Sequence, residues 1–154
     1  MDYSRYKKSE LIEMLVRSTR PQITGPSPLI GLVLEKLEPY RNQETEHFLV
    51  ATLDGSHKVI NLRMVTKGLV NRTVVHPREV FRGAIADNAV AIIIAHNHPS
   101  GNLTPSPEDH SITIRLVEAG EILGIKVIDH IIIGLSLHDF YSFNDNGDIH
   151  NTGG

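Results

Sequence analysis

AVAIIIAHNHPSGNLTPSPED, residues 89–109, is the stretch on which the fold turns. Its first part, AVAIIIAH, is short, rich in β-branched residues and without alternation, so it reads as a central strand covered on both faces. Pro99, Gly101 and Pro105 then punctuate a loop. Ser106-Pro107 opens a helix in which Ile112, Leu116, Ala119 and Leu123 recur at helical spacing before Gly124. A buried strand that leads through a tight loop into an amphipathic helix implies a sheet with helices laid on it.

Downstream, IKVIDHIIIG and LHDFYSF read as two more strands around a turn at Gly134. Upstream, Pro77 opens a helix with Val80, Phe81, Ala84 and Ile85 on one face. EHFLVATLDGSHKVINLRMV reads as a β-hairpin turning at Asp54-Gly55, where glycine is expected to supply the positive φ of a tight turn. Ile60, Leu62 and Met64 alternate with Asn61 and Arg63 in its second arm, whereas the first arm is apolar on both faces. A further short strand is expected near GLVNRTVV. Two helices precede the hairpin. One covers residues 4–18 with Leu11, Ile12, Leu15 and Val16 inward and stops before Pro21. The other starts at Ser27-Pro28 and carries Ile30, Val33, Leu34 and Leu37. The expected class is α/β (α+β), a mixed β-sheet packed between helices. The expected organisation is an N-terminal helical extension over 1–40, a domain over 41–145 and a flexible tail over 146–154.

At 154 residues, 40% apolar and 21% charged, the chain suits a single soluble domain, and no run approaches the roughly 18 apolar residues of a membrane helix. MDYSRYKKSELIEMLV breaks its apolar positions with charge, unlike a secretory signal, so a cytoplasmic protein without a membrane partner is expected. The absence of cysteine excludes disulfides, thiolate metal sites and a cysteine nucleophile. A formal net charge of -3 offers nothing to a phosphate backbone, and Arg5, Lys7, Lys8, Arg17 and Arg20 read as the solvated face of a helix.

In a strand, residues two apart project to the same side, so His96 and His98 reach one point where the buried strand ends. The loop then brings Asp109 into the first turn of the next helix. Two imidazoles and a carboxylate without thiolate suit a catalytic zinc, whose three protein ligands leave a fourth position for water. The same residues also admit a plainer account. Ser106-Pro107-Glu108-Asp109 is a variant of the helix capping box, which explains Asp109 without a metal, and histidines are common in polar loops.

HNHPSGNLTPSPED closely resembles the JAMM/MPN-type metalloprotease pattern, His-x-His-Pro followed by Ser-x-x-Asp, in the wording of its RadC-like branch. EHFLVATLD, VVHPREVF, AIIIAHNHPSG and LVEAGEILGIKVIDHIIIG are similar to successive blocks of that branch, across about residues 40–135. The resemblance implies a JAMM/MPN, cytidine-deaminase-like architecture. It also implies a zinc site of His96, His98 and Asp109, with Ser106 as the hydroxyl that meets the developing oxyanion. The family's glutamate, which holds and deprotonates the zinc-activated water, falls on Glu46, ahead of HFLVATLD, in preference to Glu44. The implied activity is zinc-dependent cleavage of a peptide or isopeptide bond in a peptide or protein, with the tail of a ubiquitin-like protein among the candidates.

On this reading Asp109 turns to the metal instead of completing the capping box. Asn97 faces the other side of its strand and fixes the loop, His110 faces elsewhere, and Asp129 or His130 is the candidate to orient a zinc ligand from behind. The rival is a nucleic-acid role, because the RadC-like branch has carried a DNA-repair label; the first 40 residues lack the glycine-containing hairpins of the helix-hairpin-helix region that longer members carry. A facial triad for non-haem iron suits the helix-rich pattern poorly, and nucleobase deaminases need a Pro-Cys-x-x-Cys pair. The terminal diglycine in NTGG reads as coincidence.

Overall fold

A computed structural model describes residues 4, 5, 7, 8, 10, 22–40, 45–69, 75–134 and 139–151. Most of the expected first helix, Glu44, residues 70–74 and the final NTGG glycines lie outside the described residues. The elements are α1 (Pro26–Leu37), a 3-10 turn (Glu38–Tyr40), β1 (Glu46–Leu53), β2 (Val59–Leu69), α2 (Pro77–Ala86), β3 (Ala91–Asn97), α3 (Pro107–Leu123), β4 (Lys126–Ile133) and β5 (Phe140–Ser142). The strands form one mixed sheet in the order β2-β1-β3-β4-β5. β1 is antiparallel to β2 and β3, β3 and β4 run parallel with α3 as their crossover, and β5 returns antiparallel to β4. This is the α+β arrangement expected from the alternation of helices and strands. Among the described residues no helix is long and apolar enough to cross a membrane.

Each sheet face has its own core, and the period of two assigns residues to them. Leu49, Ala51 and Leu53 of β1 and Ala91, Ile93 and Ala95 of β3 meet Leu29, Ile30 and Val33 of α1. Phe48 and Val50 of β1 and Ile92 and Ile94 of β3 meet Val80, Phe81 and Ala84 of α2 and Ile112, Leu116 and Val117 of α3. β3 is therefore buried on both sides, as its unbroken apolar run requires. Residues 146–151 are tied back to the sheet: Asn151 Nδ2 donates to the Val127 carbonyl at 3.2 Å and the Tyr141 hydroxyl donates to Asp148 at 2.5 Å. The Asp148 bond pushes the Tyr141 hydroxyl up to about 12.

Several local expectations are corrected. α1 begins at Pro26, with extended Gly25 at the cap position, because Pro26 already has the fixed φ that a first helical turn accepts. The β1–β2 connection runs through residues 54–58, and its left-handed residue is His57 (φ 60°) rather than Gly55. The Asp54 carboxylate shapes it by accepting the amides of Ser56 and Lys58 at 2.9 and 3.0 Å. β2 runs on to Leu69, absorbing the start of the separate strand expected near GLVNRTVV. Ile85 and Leu123 are exposed. The buried face of α3 is Asp109, Ile112, Thr113, Leu116, Val117 and Gly120, so two polar side chains and a glycine occupy it. A Cβ on Gly120 would stand 2.3 Å from the Ile125 carbonyl oxygen, so only glycine lets α3 close onto the start of β4.

β4 contains a bulge. Ile92 pairs with Val127 but Ile93 pairs with Asp129, so Ile128 is the extra residue. Without it Val127, Asp129 and Ile131 would share a face. With it, Val127 and His130 both face α2 and α3, while Asp129 turns toward the α1 side.

Asp87, the C-cap of α2, fastens that helix to the sheet. Its carboxylate accepts Arg63 through both guanidinium nitrogens (2.5 and 2.6 Å), Asn61 Nδ2 (3.0 Å) and Thr52 Oγ1 (2.7 Å). Burial alone would raise this carboxyl, but the Arg63, Thr52 and Asn61 bonds outweigh it and hold the group below its ordinary value. A depressed folded-state value means that the stabilisation is complete above the unfolded value of about 3.9 and is lost as pH falls through the folded one. Asp87→Asn is expected to cost about 2 kcal/mol at neutral pH, within the range for charge-assisted hydrogen bonds and trimmed because Arg63 still meets water. In urea melts the gap between variant and wild type should begin to narrow below about pH 4 and close once the pH is below the depressed folded-state value; a gap that stays constant down to there would remove the charge from the explanation.

Candidate metal centre

The centre forms where β3 ends. His96 and His98, two apart, both face the α3 side, and the turn closed by Gly101 N–H on the His98 carbonyl (2.8 Å) reverses the chain behind them. Gly101 takes φ 79°, open to glycine without strain. Ser106 then caps α3 and Asp109 arrives at its third position, fully buried. His96 Nε2 and His98 Nε2 are 3.2 Å apart, Asp109 Oδ1 is 3.2 Å from His96 Nε2, and Asp109 Oδ2 is 3.2 Å from His98 Nε2.

These distances test whether a metal suits the residues. Tetrahedral coordination with bonds of about 2.0–2.1 Å sets neighbouring ligand atoms roughly 3.3 Å apart. The three contacts match that spacing. The donor chemistry agrees, because the Asn102 carbonyl 2.5 Å from His98 Nδ1 can only accept, which puts the His98 hydrogen on Nδ1 and directs the Nε2 lone pair inward. Nitrogen lone pairs and a carboxylate brought together in a buried space are a cation's ligand set, and His96, His98 and Asp109 form such a group here. Burial by itself would raise the Asp109 carboxyl. The adjacent His96 and His98 imidazoles and the Ser106 amide overcome that and hold it far below the carboxylate range.

Asp109 does not choose between metal and cap, contrary to the expectation that it leaves the capping box. Oδ2 accepts the Ser106 amide at 2.8 Å while Ser106 Oγ accepts the Asp109 amide at 3.1 Å, and the same carboxylate faces both imidazoles. Its two oxygens have enough acceptor sites for both tasks. The box thus fixes the rotamer that presents Asp109 to the histidines.

Glu46 is the first residue of β1 and is half-buried. It shares a strand face with Phe48, which pairs with His96 in the register and stacks on its ring (centroids 5.9 Å, 12° between planes). Extended by two residues, that antiparallel register would set Glu46 opposite His98. The backbone ladder ends at the Phe48–His96 pair, and the Asn97 side chain takes over: its Oδ1 accepts the His47 amide at 2.8 Å and its Nδ2 donates to the Thr45 carbonyl at 3.3 Å. Asn97 therefore grips the peptide groups on either side of Glu46, rather than fixing the loop as expected of it. His110 does face away, with its ring edge against Phe143.

His130 and Asp129 part company. His130, brought to this face by the bulge, sets Nε2 2.8 Å from His96 Nδ1 and stacks flat on Phe143. Asp129 touches neither histidine of the centre. It accepts Ser142 Oγ (2.6 Å) and the amides of Asn144 and His130, joining β4 to the turn after β5; burial raises its carboxyl despite those bonds. Thr113 was missed from sequence. Its hydroxyl lies 2.6 Å from His130 Nδ1, and its position one turn after Asp109 on the same face was the available signal.

A buried two-histidine, one-carboxylate group at the end of the central strand of such a sheet defines a JAB/MPN-type α+β domain with a candidate metal site. The chain belongs to the RadC-like JAB domain family, which it matches over residues 23–148. It is similar to a UPF0758 protein of Caldanaerobacter subterraneus subsp. tengcongensis, 48% identical over 128 residues, which are 81% of this chain and 54% of that protein. A UPF0758 protein of Clostridium perfringens is 46% identical over 132 residues, 86% of this chain and 54% of the relative. One from Methanospirillum hungatei is 50% identical over 113 residues, 73% and 49% of the two chains. The chain thus spans about half the length of these relatives.

Proposed function

We propose that this chain is a cytoplasmic zinc-dependent hydrolase that cleaves a peptide or isopeptide bond, with His96, His98 and Asp109 as the protein ligands of the metal. The observation that carries the reading is the 3.2 Å convergence of both imidazole Nε2 atoms on the Asp109 carboxylate. A bound zinc supplies two things there: it lowers the pKa of water to about 7, making a nucleophile at neutral pH, and it polarises a carbonyl.

The chain's own groups do the rest. Glu46 accepts the proton of the attacking water and passes it to the amine nitrogen as the C–N bond breaks, so water's oxygen ends on the acyl carbon and its hydrogens are shared between the two products. Ser106 donates to the carbonyl oxygen as it gains charge. Its hydroxyl lies at the amino-terminal end of α3, which adds a favourable potential for an anion. The substrate is an amide of a peptide or protein, the tail of a ubiquitin-like protein among those to try.

The test is metal analysis of the purified chain, followed by incubation of zinc-loaded and chelator-stripped protein with a panel of peptide and isopeptide substrates read by mass spectrometry. One zinc per chain and cleavage that chelation removes and zinc restores are expected. A chain that takes up no zinc, or a zinc-loaded chain that cleaves nothing on the panel while binding DNA tightly and with steep salt dependence, would overturn the reading.

A further inference from the structure

Resting on the reading of His96 as a metal ligand, we propose that Thr113 and His130 are positioning residues that form a directional hydrogen-bond relay. The relay keeps a hydrogen on His96 Nδ1 and so reserves His96 Nε2 for the metal. Its direction follows from one group that can only accept. Thr113 Oγ1 lies 2.7 Å from the Asp109 backbone carbonyl, four residues back along α3, and 2.6 Å from His130 Nδ1. A hydroxyl has one hydrogen, and two oxygens at that separation without a hydrogen between them repel, so the Thr113 hydrogen goes to the carbonyl.

The Thr113 oxygen is then an acceptor toward His130, and His130 carries its hydrogen on Nδ1. A neutral imidazole with Nδ1–H has a lone pair on Nε2, which lies 2.8 Å from His96 Nδ1. The hydrogen in that contact therefore belongs to His96 Nδ1, and Nε2, on the far side of the ring, is left to face Asp109 and His98. The three side chains are buried, so the relay is shielded from bulk water.

The rings are locked as well as ordered. Phe143 stacks on His130 at 4.5 Å with 8° between planes, and Phe48 stacks on His96 while meeting His130 edge-on. The bulge at Ile128 is what turns His130 to this face. A backbone carbonyl of the ligand-bearing helix thus dictates, through Thr113 and His130, which nitrogen of a ligand on β3 is available. Relays behind metal-binding histidines act in this way by fixing tautomer and ring orientation.

The test reads protonation sites directly. In the metal-free, 15N-labelled chain, two-bond 1H–15N spectra should show His96 and His130 both carrying hydrogen on Nδ1. Thr113→Val keeps the shape but removes the acceptor, so His130 is expected to move its hydrogen to Nε2, donate to His96 Nδ1 and leave His96 protonated on Nε2. Zinc affinity, measured by competition with a chromophoric chelator, should fall about 10- to 100-fold. Thr113→Ser should restore both readouts. A wild-type His96 bearing hydrogen on Nε2 alone, or a folded Thr113→Val with unchanged nitrogen shifts and zinc affinity, would overturn the relay. Should Thr113→Val fail to fold, the wild-type spectrum still decides. A wild-type chain that binds no zinc would remove the metal reading while the nitrogen shifts still test the relay.

Discussion

Asp109→Asn is expected to abolish the thermal stabilisation that zinc confers on the wild-type chain. Zinc at a hundred times its dissociation constant stabilises the folded state by about 2.7 kcal/mol, and a chain of this size gains roughly 2–4 °C per kcal/mol, so a shift of about 5–10 °C is expected. Asparagine keeps one oxygen to accept the Ser106 amide, so the cap of α3 survives. It loses the anionic charge and sets a donor amide against His96, whose Nε2 is now 3.2 Å from the other carboxylate oxygen. Differential scanning calorimetry with and without zinc separates these parts. The zinc-dependent shift should vanish in Asp109→Asn, while Asp109→Ala should lose the shift and, from the lost side-chain bond to the Ser106 amide, about a further 1 kcal/mol in the metal-free state. A full zinc-dependent shift in Asp109→Asn would show that the metal sits elsewhere.

How much of this centre could be read from sequence depended on whether a signal was periodic or depended on contact. β3 was legible because an unbroken β-branched run has few other homes, and His96 and His98 follow from the period of two. Ser106 was legible as cap and oxyanion hydroxyl and Asp109 as capping-box acid and ligand candidate, and the error lay in treating the two roles of Asp109 as exclusive when one carboxylate accepts the Ser106 amide and faces both imidazoles. The bulge at Ile128 carries no local pattern, so the side to which His130 points could not be derived from alternation. The burial of Thr113 was hidden because a polar residue on the inner face of a helix reads as solvated until its partner, His130, is in place. Asn97 escaped for a related reason: its amide replaces ladder bonds with β1, a strand-end irregularity that only tertiary pairing creates.

Glu46→Gln is expected to leave zinc content unchanged and to lower turnover by about 10²–10⁴-fold, the usual contribution of a positioned general base. Glutamine keeps the length and much of the hydrogen bonding of the side chain but cannot take a proton at neutral pH, so the comparison removes one chemical step and little else. Asn97→Ala supplies the companion measurement. It deletes the bonds to the His47 amide and the Thr45 carbonyl, and a displacement of the order of 1 Å in a base is enough to cost about 10- to 100-fold. Combined with Glu46→Gln, Asn97→Ala should add little, because a mispositioned base and a missing one are the same loss. Mass-spectrometric turnover on a cleaved substrate, beside zinc analysis of each variant, reads all three. Full turnover in Glu46→Gln would transfer the role to Glu44, two residues earlier, and Glu44→Gln would then be the variant that fails.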